Sequence, residues 1–80
     1  MKMSKELKEE NRKLRHLRLM IDLTMQLLYQ KKDLTLMEGV HHIKLAKQYA
    51  LSLFPEKGDT FDLIYRPRLM RVIKERGLLN

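Results

Sequence analysis

The chain has 80 residues, no cysteine, and 17 basic against 10 acidic side chains, for a formal net charge of +7. The absence of cysteine excludes thiolate catalysis, CxxC redox chemistry, disulfides and cysteine-ligated metal. The longest apolar run is three residues, far short of the ~20 that cross a bilayer, so no membrane contact by spanning is expected.

The opening MKMSKELKEENRK carries charge with no apolar stretch behind it, which excludes a secretory leader. Met1 reads as a native start and the cytoplasm as the default location. The length suits one domain, 1–80. Below roughly 70–80 residues a single core rarely supplies more than ~3–5 kcal/mol, and a staple is usual. With no disulfide available, oligomerisation is the remaining staple. A partner surface is therefore expected, most simply in a homodimer, with a second protein as a further candidate.

Ser4 is placed to cap a first helix, with Glu6 in the first turn where a carboxylate meets the helix dipole favourably. From Lys5 to Gln30 there is no proline or glycine, and Lys, Glu, Leu and Arg dominate. A helix over 5–31 would be ~40 Å long, against a radius of gyration near ~12 Å for a compact globule of this size. Residues 1–13 are thus expected as a frayed or overhanging arm. Leu7, Leu14, Ile21 and Leu28 recur at seven-residue spacing, a weak coiled-coil signal over so few heptads.

Within this helix, the apolar side chains of LRHLRLMIDLTMQLL (14–28) cover more than half the circumference at 100° per residue. An amphipathic helix normally shows a stripe a little over 100° wide. One neighbour cannot cover so broad a sector. Self-association is therefore assigned to Leu14, Met20, Leu23 and Leu27, with Leu7 as an extension.

Tyr29-Gln-Lys-Lys-Asp33 breaks the apolar pattern and marks a turn. Thr35 and Glu38 have the spacing of a capping box, so a second helix is expected over 36–53. Its inner face is read as Leu36, Val40, Ile43, Ala46, Tyr49, Ala50, Leu53 and Phe54. Gly39, Ala46 and Ala50 form a strip of small residues that invites close approach, and the first helix is expected to dock there. Lys47 projects from the same sector, either snorkelling along its stem or forming a salt bridge across an interface.

Pro55 stops this helix, and PEKGD is turn chemistry. Asp59 is the expected cap of the next segment, with Asp62 in a box-like position. Pro67 follows barely two turns later, where the helix either kinks or ends and restarts with Pro67 at N1; because the residue before a proline avoids the α region, a break is expected near Arg66. A final helix over 67–76 would bury Leu69, Met70, Val72 and Ile73. Gly77 would end it, with Leu78 touching Ile73 as in a Schellman cap. No segment shows a strand period. The fold class is all-α: a bundle of three to four helices with a long first helix, a second of similar role and a short C-terminal helical pair broken near Pro67.

Sites for chemistry are scarce. Glu38 and His41 stand at i,i+3, half of what a di-iron bundle uses from each helix, but Glu38 is needed for its cap and no further inward carboxylates are evident. No metal and no cofactor is expected. Ser4 and Ser52 lie near no histidine, and Gly39, Gly58 and Gly77 are too scattered for a phosphate-cradling loop. An enzyme is not expected.

The positive charge is uneven. Residues 1–18 hold seven basic and three acidic groups and 66–80 hold five and one, while 19–65 are near neutral. Arg66, Arg68, Arg71, Lys74 and Arg76 ring the last helix, and Lys8, Arg12, Arg15 and Arg18 fall on adjacent faces of the first. A helix-turn-helix is excluded, because the 54–59 connection is too long and contains Pro55. A histone-like layout would put the longest helix in the middle. Two functions follow as expectations: a small non-enzymatic helical interaction module that self-associates, and alternatively a non-sequence-specific nucleic-acid binder using its basic ends.

Overall fold

In the computed structural model, residues 5–79 are described and form three helices. α1 spans Lys5–Gln30 and α2 spans Leu36–Leu53. α3 runs over 58–75 in three pieces: an α-helical turn Gly58–Thr60, a π-turn Phe61–Tyr65 and an α-helical stretch Arg66–Glu75. The expected cap at Ser4 lies outside the described residues. Among those residues, no helix is long and apolar enough to cross a membrane.

α1 is uninterrupted, as its composition requires, and described residues before Leu17 are all exposed. The molecule measures 51 × 22 × 16 Å with a radius of gyration of 14.5 Å. That exceeds the ~12 Å of a compact chain of this length, because the start of α1 overhangs the bundle. From Leu17 onward α1 buries Leu17, Ile21 and Leu28. A buried Leu34, just beyond the turn, seals that end.

α2 begins on the capping box. The Glu38 amide donates to the Thr35 hydroxyl at 3.1 Å, and the Thr35 amide donates to the Glu38 carboxylate at 3.3 Å. Lys31 also pairs with that carboxylate, tying the preceding turn to the helix start. The buried face is narrower than the apolar pattern suggests. Gly39, Ile43, Ala46 and Ala50 are buried, whereas Leu36, Val40 and Tyr49 stay exposed. Small residues let neighbours approach along one line, which leaves flanking side chains outside it.

At Gly39 that neighbour is α3 rather than the expected α1. A Cβ added to Gly39 would stand 2.9 Å from Ile73 Cδ1. Near the other end of α2, Gly58 faces Leu51. Tyr29 Oη donates to Glu75 at 2.8 Å, joining the C-terminal ends of α1 and α3. α3 therefore runs antiparallel to α2 and parallel to α1.

The discontinuity at Pro67 takes the form of a π-turn. Arg66 keeps helical dihedrals (φ −57°, ψ −47°), and its amide donates to the carbonyl of Phe61, five residues back. In a regular α-helix the proline ring would meet the carbonyl of Leu63; the wider turn accommodates it, so the chain need not end and restart. The extra residue also resets the phase. Phe61 and Leu69, eight apart, would otherwise sit ~80° apart on an α-helix, yet both are buried together with Val72 and Ile73.

Asp59 does not cap this helix. The helix begins one residue earlier, the N-cap position is Lys57, and no side chain bonds there. Asp62 instead accepts from Lys47 of α2 at 2.9 Å and from Arg66 at 3.1 Å. The odd inward lysine of α2 thus has a partner within the chain. The other end is as expected. Gly77 (φ +73°) donates to Lys74 O, and Leu78 donates to Ile73 O, completing a Schellman motif.

Candidate interaction surfaces

The core uses only one side of α1. Leu19, Leu23 and Leu27, four residues apart, form a ridge that slants from ~180° at Leu19 to ~100° at Leu27 round the helix from the buried residues. Their exposures are 57%, 54% and 42%. Leu23 and Leu27 border a shallow hollow with Gln26, Gln30 and Lys31. On α2, Leu45 and Tyr49 are also left exposed.

The four residues assigned to self-association therefore occupy three settings. Leu23 and Leu27 stand on the ridge. Met20 is partly buried against the core, and its carbonyl accepts from the Thr24 hydroxyl at 2.8 Å. Leu14 lies on the inner side, lining an apolar hollow of about 250 Å³ with Leu17, Ala50, Phe54, Phe61 and Tyr65. That hollow is below the ~300 Å³ at which small-molecule pockets usually begin. Leu19 escaped the sequence reading, although its spacing of four and eight residues to Leu23 and Leu27 was a visible signal.

The basic groups of α3 also divide. Arg66 pairs with Asp62, and Arg76 donates to the carbonyls of Leu28 at 2.6 Å and Lys32 at 3.2 Å. Arg68, Arg71 and Lys74 are exposed, with no ion pair among the described residues. Arg68 shares a hollow with Arg18 and Asp22 of α1, lined also by Ile21, Ile64 and Tyr65. Arg18 continues into a second hollow with Asn11 and Arg15. The parallel packing of α1 and α3 thus joins two basic segments that are 50 residues apart in sequence (18 to 68). Arg71 stands close enough to Tyr29 for its charge to act on the phenol. The hydrogen bond from Tyr29 to Glu75 is the larger influence there, and it holds the phenol above its usual value.

Apart from Asp22, the carboxylates of α1 lie elsewhere. Glu6, Glu9 and Glu10 border a hollow with Lys13, Leu53 and Glu56 on the α2 side. The first helix is electrically two-sided.

The histidines do not assemble a metal centre. His41 is exposed, and its ring centre lies 6.2 Å from that of half-buried His42. Burial, then the charges of His41 and Lys31, push His42 below its ordinary value. Glu38 is occupied by Thr35 and Lys31. Among the described residues, no three of His, Cys, Asp or Glu come together as ligands.

No family model, curated protein or solved structure matches this chain.

Proposed function

We propose that this small all-helical domain is an interaction module that pairs with a second copy of itself through the back of α1. The observation that carries the reading is the row Leu19, Leu23 and Leu27, each between 42% and 57% exposed in a chain whose core is already filled from the other side. Single exposed leucines are ordinary on any surface, but a contiguous row is the mark of a contact site. Residues four apart form the ridge that interdigitates with the same ridge of a second helix, at a crossing angle of about −50°. A two-fold axis across α1 would bring ridge against ridge. Leu45 and Tyr49 of α2 supply further apolar surface, and the short chain gives the association a thermodynamic purpose.

Sedimentation equilibrium at micromolar concentration tests this reading. The expected mass is twice the 9.7 kDa of one chain, and Leu23→Glu is expected to give a monomer with unchanged helicity. A native chain that sediments as a monomer at ~100 μM, a concentration at which contacts of only ~5–6 kcal/mol would associate, overturns it.

A further inference from the structure

We propose that the seam between α1 and α3 binds the phosphate backbone of single-stranded nucleic acid, with Arg15, Arg18, Arg68 and Arg71 as the phosphate contacts and Tyr65 as a stacking platform.

Four observations converge. Arg15 and Arg18 line one hollow, Arg18 and Arg68 the next, so the cationic track is continuous across two helices. Arg71 extends it one turn along α3, toward Tyr29. All four arginines are exposed and make no ion pair among the described residues, whereas Lys31, Lys47 and Arg66 are each engaged by a carboxylate. The glutamates of the α1 overhang border the opposite groove, leaving Asp22 in the hollows of the seam and Glu75, bonded to Tyr29, at its Arg71 end.

The chemistry selects the partner. A guanidinium presents a planar fork that matches phosphate oxygens in a bidentate manner, and all four positions are arginine rather than lysine. The track is a groove with half-buried Tyr65, backed by Phe61, among its lining residues. A positive groove with an aromatic side chain is how single strands are held without regard to sequence, since every base offers a π-face. A bilayer would call for a flat or convex apolar face flanked by cations. The seam lies on a different side of α1 from the leucine ridge, so monomeric behaviour in the previous experiment leaves this inference standing.

The test is a fluorescence-anisotropy titration of the full chain against a labelled 12-nucleotide oligouridylate, a duplex of equal length and phosphatidylserine vesicles. Binding to the single strand is expected to weaken with salt at a log–log slope of about −3, from roughly −0.7 per neutralised phosphate. Arg18→Glu with Arg68→Glu is expected to weaken it at least tenfold while leaving the circular-dichroism melt in place. Arg15→Gln with Arg71→Gln is expected to weaken it less, and Lys44→Glu, on the exposed side of α2, by under twofold. The inference is overturned by no binding to the strand at 50 mM salt, by equal weakening with Lys44→Glu, or by preference for the duplex or the vesicles.

Discussion

Arg76, one residue beyond α3, donates its guanidinium to the carbonyl of Leu28 in the last turn of α1, at 2.6 Å. A second nitrogen reaches Lys32 O at 3.2 Å. The final carbonyls of a helix have no partner within it, and the last turn of α1 contains no basic residue of its own. The missing cation arrives from 48 residues away, at the site where the helix dipole favours positive charge.

Arg76→Ala is expected to lower the unfolding free energy by ~1–2 kcal/mol, toward the low end for hydrogen bonds to a charged group because the site is only partly buried. Arg76→Lys is expected to recover only part of this, because an ammonium lacks the planar fork that spans two acceptors. Urea denaturation midpoints measure both. Equal stability of all three proteins contradicts the account.

Gly39 and Ile73 are expected to couple. Alanine at Gly39 gains up to ~1 kcal/mol of helix propensity but drives a methyl against the fully buried Ile73, which must shift to admit it. Overpacking costs about 1–3 kcal/mol, so Gly39→Ala is expected to destabilise by a net ~1 kcal/mol. In an Ile73→Val background, where the Cδ1 methyl is gone, the same substitution is expected to become neutral or favourable. A double-mutant cycle reads the coupling directly.

Two groups shape the acid limb of the pH profile, both in the same sense. The hydrogen bond from Lys47, opposed by desolvation and aided by Arg66, holds Asp62 below its ordinary 3.8. The unfolded carboxylate protonates first as pH falls, so the stabilisation is complete above that value and lost through the lower native one. The melting temperature of Asp62→Asn is expected to lie below that of the native protein at pH 7, and the gap to close as pH falls below 3.8 and through the lower native value.

His42 is held below 6.5, chiefly by burial. Here too the unfolded chain takes up its proton first, so stability declines as pH falls from neutrality through 6.5 toward the native value. His42→Gln is expected to flatten the profile in that window. A native protein with no decline between pH 7 and the carboxylate range contradicts the assignment.

The helices themselves were legible in the chain. Thr35 and Glu38 announced where α2 starts, Gly77 and Leu78 how α3 ends, and the unbroken run before Gln30 the length of α1, because each of these signals is read within a few residues of backbone. Pro67 announced a disturbance but not its kind. A π-turn answers a need that lies outside the local sequence, namely keeping Phe61 and Leu69 on one buried face.

Pairings between distant residues were settled only by the packing. Asp59 and Asp62 looked alike as caps, yet Asp59 sits inside the first turn of α3 and caps nothing, while Asp62 holds Lys47. Arg68 and Arg76 looked alike as surface charge, yet one opens onto the seam beside Arg18 and the other satisfies carbonyls of α1. Residue type and spacing determine which faces are apolar or charged. The directions in which three rods lie against each other determine which of those faces meet, and that choice belongs to close packing over the whole core, where Gly39 admits Ile73 and the α1–α3 seam brings the two basic ends together.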